Sequence, residues 1–148
     1  MKKKKTSFYR QKKAISRTLD IIIAILAIII LLPFLCVIML ILRFTAEGEI
    51  FYFQERIGQY NSKFYIWKFA TMIKNSMNMG SGSITLQNDF RVTKFGKILR
   101  FTKINELPQI INLLKGDVTI VGPRALVEET FLAYSQETQK TINNVKPG

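Results

Sequence analysis

From residue 21 to residue 42 the chain is almost unbrokenly apolar, IIIAILAIIILLPFLCVIMLIL, and this run dominates its hydropathy pattern. At 1.5 Å per residue a helix over it reaches about 33 Å, just enough to cross a hydrocarbon core of about 30 Å. The run is too long for the core of a signal peptide, and no convincing small-residue cleavage site follows it. Pro33 interrupts it near the middle. A mid-helix proline removes one hydrogen bond and clashes with the preceding turn, which kinks or breaks the helix. Two readings therefore stand: a single straight crossing, or two arms of about 18 and 14 Å that enter and leave by the same face.

Beyond the run the pattern changes to that of a small water-facing domain. Residues 49–67 read as strand and turn, with apolar stretches at 50–53 and 64–67 around a turn at 58–62. Residues 77–83, where Gly80 and Gly82 lie among serines and Asn78, read as a plain loop. They lack the spacing and the Lys-Ser/Thr of a phosphate-binding P-loop. Residues 92–101 carry an apolar stripe of Val92, Phe95, Ile98 and Leu99, with Lys94, Lys97 and Arg100 around it. That pattern suits an ordinary surface helix or one lying on a membrane. The clearest helix spans 106–115, where Leu107, Ile110, Ile111 and Leu114 fall on one face. Asn105 is placed to cap it, Pro108 is tolerated in its first turn and Gly116 ends it. A short strand over 118–121 then runs into the turn Gly122-Pro123-Arg124.

Length and charge sharpen this picture. Of 148 residues, roughly a hundred follow the apolar run, enough for one small, marginally stable domain. The formal charge of +12 is concentrated before the run, where residues 1–20 hold eight basic side chains against one acid, Asp20. Such a tail fits the anionic cytoplasmic leaflet, at on the order of 1 kcal/mol per nearby Lys or Arg. A cytoplasmic basic flank means that a straight crossing would place everything after Leu42 outside, away from any cytosolic nucleotide. Nucleic acid is the competing partner for so basic a chain, but no recognised nucleic-acid-binding module is present, so none is expected. The single cysteine, Cys36, lies inside the apolar run, which excludes a disulfide framework. Histidine is absent, so any chemistry must use carboxylates, Lys, Arg, backbone amides or an oxygen-bound metal.

A series of ordered blocks is similar to one known family. Gln54-Glu55-Arg56-Ile57-Gly58 and Lys68-Phe69-Ala70-Thr71-Met72 resemble QERVG and KFRTM. Asp89-Phe90-Arg91-Val92-Thr93, followed by residues 96–100, resembles DPRVT and GKFLR. Asn105-Glu106-Leu107-Pro108-Gln109 and residues 112–117 resemble DELPQ and NVLKGD, Val121-Gly122-Pro123-Arg124 resembles VGPRP, and residues 145–148 resemble VRPG. Together these blocks resemble the bacterial sugar transferase family, from about residue 15 to the last residue.

The resemblance implies a monotopic phosphoglycosyl transferase of α+β class. A basic cytoplasmic tail (residues 1–20) precedes a proline-broken re-entrant membrane helix (21–42). A small, mainly helical cytoplasmic domain with short strands follows (43–148), incomplete at its C-terminus because the family pattern continues past such a Pro-Gly. Both flanks of the helix then face the cytoplasm at the bacterial inner membrane. The implied reaction moves a sugar 1-phosphate from a UDP-sugar to polyprenyl phosphate and releases UMP. It depends on Mg²⁺ and passes through a phosphosugar held on the aspartate of an Asp-Glu dyad. Carried over residue by residue, Glu106 is the magnesium ligand of the dyad, and Lys68, Arg91, Arg100 and Arg124 are phosphate or nucleotide contacts. A homodimer is left open. Asn105 stands at the position of the nucleophilic aspartate, Ala70 replaces an arginine, Phe90 a proline and Ala125 the second proline of the PRP turn. Two expectations follow: an active transferase, or a non-catalytic relative that binds nucleotide sugar or a partner enzyme.

Overall fold

The computed structural model describes residues 2–45, 47–79 and 89–148, so the loop expected at 77–83 lies partly outside the described residues. The first element, α1, is a helix over Lys2–Thr45. Its apolar part is long and apolar enough to cross a membrane, with a mean hydropathy of 3.5 over its most apolar stretch. Pro33 lies within α1, where it removes one backbone hydrogen bond of the helix. Leu26, Ile30, Val37 and Leu40 remain more than half exposed along the helix.

Strands β1 (Phe51–Ile57) and β2 (Lys63–Phe69) form a two-stranded sheet. They extend the two apolar stretches read in the sequence. The connection closes where Gly58 N–H donates to Ser62 O at 2.7 Å, with Tyr60 and Asn61 both left-handed at φ of 59° and 57°. Asn tolerates that conformation well; Tyr adopts it rarely.

The chain divides into two compact units, one of residues 1–30, 55–66 and 110–148, the other of residues 31–54 and 67–109. The first unit contains α3 (Ile110–Lys115), α4 (Glu128–Leu132) and α5 (Gln136–Asn143), and buries the side chains Val118, Ala125 and Phe131. Asn112 is fully buried and donates to Tyr65 O at 2.8 Å and to Asp117 Oδ2 at 2.9 Å. Residues 118–121 do not form the expected strand. Their polar groups go elsewhere: Thr119 N–H donates to Pro147 O, and Asp20 accepts from Thr119 Oγ1 at 2.7 Å and from Ile120 N–H at 3.2 Å. Three residues before Asp20, Arg17 donates through both terminal nitrogens to Leu113 O and Leu114 O, each at 2.5 Å. These are last-turn carbonyls of α3, which have no partner within the helix and attract a cation.

In the second unit Ile38 and Leu42 of α1 pack with Phe69 and Leu99, bordered by Phe51, Phe95 and Ile104. Phe51 stacks on Phe69 at 5.7 Å and meets Trp67 edge-on at 5.5 Å. Helix α2 (Lys94–Phe101) is capped by Thr93, whose hydroxyl accepts from Gly96 N–H. It buries Gly96 and Leu99. Ile98, expected on the apolar stripe, instead points outward with Phe101, at 57% and 91% exposure, beside exposed Lys94 and Lys97.

The helix read at 106–115 also differs. Residues Ile104–Gln109 form a 3-10 helix, and only Ile110–Lys115 is α-helical. Lys103, left-handed at φ 61°, ends the preceding chain direction, and its carbonyl accepts from Glu106 N–H at 3.1 Å in the tighter pattern. Pro108 has no N–H with which to pull this segment into an α-helix. Asn105 therefore sits inside a turn rather than capping a helix.

Candidate functional site

Side chains alternate along the hairpin, so Lys68 projects from the sheet face opposite Phe51, Phe53, Trp67 and Phe69. Tyr52 shares that face. Lys68 Nζ donates to Glu106 Oε1 at 2.8 Å in an ion pair whose side chains are 15% and 32% exposed. Asn105, next to Glu106, holds its Oδ1 buried with no hydrogen-bond partner among the described residues. A buried acceptor left unsatisfied costs about 1–3 kcal/mol, a cost that a bound donor or cation would remove.

Two arginines of the same unit behave differently. Arg100, at the end of α2, donates from Nε to Thr71 Oγ1 at 2.8 Å. Burial pushes its guanidinium below its ordinary pKa, Asp89 opposes that shift, Arg91 adds to it, and Tyr52 opposes it. It remains a cation partly withdrawn from water, which suits contact with a phosphate. Arg91, expected as a phosphate contact, is fully buried and turned inward. Its Nε and Nη2 form a fork on the Asp89 carboxylate at 2.9 and 2.6 Å, while Nη1 donates to Ser76 O and Met79 O at 2.8 and 2.7 Å. The Asp89 hydrogen bond raises the guanidinium pKa further. Arg91 therefore holds the turn at 76–79. Removing one partner of so buried a pair costs roughly 3–5 kcal/mol.

Arg124 belongs to the other unit and is exposed, on the turn after Gly122. That turn is held by Gly148 N–H donating to Pro123 O at 2.9 Å. A side chain at Gly122 would collide with the backbone of residues 146–148, so a glycine is required there. Lys68, Arg91, Arg100, Asn105 and Glu106 thus fall in one unit, and Arg124 in the other.

The oxygen donors at residues 105 and 106 are of a type that fits a magnesium ion. A carboxylate and a neighbouring unpartnered amide oxygen are hard oxygen donors, the type Mg²⁺ selects. Among the described residues no group of three or more His, Cys, Asp or Glu is arranged to hold a metal. Water and substrate phosphates would complete the shell, as is usual for this ion. Sequence reasoning missed Tyr52 and Thr71. The alternation of Tyr52 with Lys68 across the hairpin is the signal that points to Tyr52; Thr71 emerges only in three dimensions. It also missed Arg17 and Asp20, whose spacing of three on one helix face is legible in the sequence.

A protein-family model described as bacterial sugar transferase matches residues 11–148. Among curated relatives, the UDP-glucose:undecaprenyl-phosphate glucose-1-phosphate transferase of Escherichia coli is 37% identical over 138 residues, covering 92% of this chain and 30% of that protein. The exopolysaccharide production protein ExoY of Sinorhizobium fredii is 34% identical over 146 residues, covering 89% and 64%. The UDP-N-acetylgalactosamine-undecaprenyl-phosphate N-acetylgalactosaminephosphotransferase of Aeromonas hydrophila is 37% identical over 110 residues, covering 74% and 26%. The chain thus spans from 26% to 64% of the length of these relatives. With the Lys68–Glu106 pair in place and a match over nearly all of its length, the chain belongs to the bacterial sugar transferase family.

Proposed function

We propose that this chain transfers a sugar 1-phosphate from a UDP-sugar to polyprenyl phosphate at the cytoplasmic face of the bacterial inner membrane. The observation that carries this reading is the shielded Lys68–Glu106 pair beside the unpartnered oxygen of Asn105, within blocks that match the family in order. In the transfer, the bond joining the sugar-bearing phosphorus to UMP breaks and one to an acceptor oxygen forms. Bound at Glu106, Mg²⁺ would neutralise the diphosphate. Lys68 and Arg100 draw the phosphate oxygens and hold their orientation. Arg91 acts only through the turn it holds.

The neutral amide of Asn105 is a very poor nucleophile, so no acyl phosphate forms at residue 105. Either Glu106 accepts the phosphosugar or the lipid phosphate attacks directly. The same amide favours a second reading, a non-catalytic relative that binds the nucleotide sugar.

A re-entrant arrangement of α1 belongs to this proposal. It is supported by the bonds of Arg17 and Asp20, which precede the apolar run, to residues 113–120, which follow it. A straight crossing would put a bilayer between those partners. The deciding assay is UMP release from UDP-sugars in membranes carrying the chain. Turnover abolished by Glu106→Ala and by EDTA is expected, and undiminished turnover in EDTA would remove the metal from the mechanism. Binding of UDP-sugar without any release would establish the second reading.

A further inference from the structure

Every acid in the unit that holds Glu106 has a basic or backbone partner. Glu49 pairs with Lys74 at 3.4 Å, and Glu47 accepts from Lys74 N–H at 2.8 Å. Asp89 is bound twice by the Arg91 guanidinium. Glu106 pairs with Lys68 at 2.8 Å, with both side chains largely shielded from water. A carboxylate at residue 105 would have made the site net negative; an amide leaves the Lys68–Glu106–Asn105 group neutral. Shielding matters because charge interactions strengthen as water is withdrawn. A dication arriving alone would approach a neutral group whose carboxylate is already bonded to an ammonium.

We propose that Lys68 is a cation placeholder: its ammonium occupies the coordination position on Glu106 until a divalent ion displaces it. Resting on the functional reading above, this makes Lys68 a positioning residue that determines when metal enters. The chain does not load metal in advance. The ion enters with a diphosphate, whose negative charge offsets it and gives the displaced Lys68 ammonium a new partner. Lys68 thereby moves from carboxylate to phosphate, and the net charge of the occupied site stays near that of the resting one.

The test uses Mn²⁺ as a spectroscopic stand-in for Mg²⁺, titrated into the full chain in detergent and followed by electron paramagnetic resonance without any nucleotide. The native chain is expected to bind Mn²⁺ weakly. Lys68→Met and Lys68→Gln should each bind it at least tenfold more tightly, and Lys68→Arg should stay at the native level. The gain should vanish when Glu106→Gln is added. Native binding as tight as that of Lys68→Gln would overturn the proposal, as would unchanged affinity in whichever neutral variant folds by circular dichroism. Binding of UDP-sugar is measured separately on the native chain. Its absence would count against the transferase reading alone, since the Mn²⁺ comparison involves no sugar nucleotide.

Discussion

Asparagine and aspartate have nearly the same shape, so at residue 105 the fold is indifferent to a change that the chemistry is not. The amide oxygen there is buried and unpartnered, which means that Asn105 is not retained for a capping bond. Intact-protein mass spectrometry after incubation with a UDP-sugar is expected to show no phosphosugar at residue 105. Asn105→Asp should create or raise turnover and yield an adduct mapped to that residue. An adduct on Asn105 itself would refute the argument, whereas one on Glu106 would show that the two residues have exchanged roles. At this scale the sequence made Lys68 and Glu106 visible as members of blocks. It could not show that they meet, because 38 positions separate them and the hairpin and the 3-10 helix must both form first. Arg91 was readable as a functional cation on the same grounds. Its burial against Asp89, Ser76 and Met79 depends on the path of the backbone around it, which no residue pattern encodes.

Among the elements, α2 shows how one small residue sets the position of a charged one. A Cβ at Gly96 would fall 2.8 Å from the Thr71 carbonyl carbon and closer still to its oxygen, and Thr71 is the residue whose hydroxyl accepts from Arg100 Nε. Exchanging glycine for alanine inside a helix ordinarily stabilises by about 1 kcal/mol. Here the clash is with backbone, so Gly96→Ala is expected to destabilise by about 1–3 kcal/mol. It should also weaken UDP-sugar binding by shifting Arg100 away from Thr71. Thermal unfolding in detergent, compared with nucleotide titration, checks both; a more stable variant with native affinity would show that α2 tolerates the shift. The hairpin and α2 were legible because alternation and helical spacing extend over whole elements. The strand expected at 118–121 was not, since its apolar residues do alternate but its hydrogen bonds go to Asp20 and Pro147. The 3-10 start of residues 104–109 was hidden for a similar reason: the left-handed Lys103 that imposes it is not a glycine or asparagine.

For the molecule as a whole the consequential question is which side of the membrane each flank of α1 occupies. Cysteine introduced in turn for Lys5 and Lys63, in a Cys36→Ala background, is expected to resist labelling by an impermeant reagent applied to intact cells. Labelling of Lys63→Cys alone would show a full crossing. The long apolar helix was evident from hydropathy; the bonds of Arg17 and Asp20 were not, because they join residues far apart in the chain. Arg17 and Asp20 bond to partners 96 to 100 positions further along. That separation has a consequence in time. Ribosomes add about 5–20 residues per second, so roughly 5–20 s pass between the emergence of Asp20 and that of Ile120. Through that interval the apolar helix has emerged while the carbonyls and amide that Arg17 and Asp20 bind do not yet exist. In the re-entrant arrangement proposed above, the lysines of the tail would hold the first orientation alone, and slower translation across residues 43–120 would lengthen that interval.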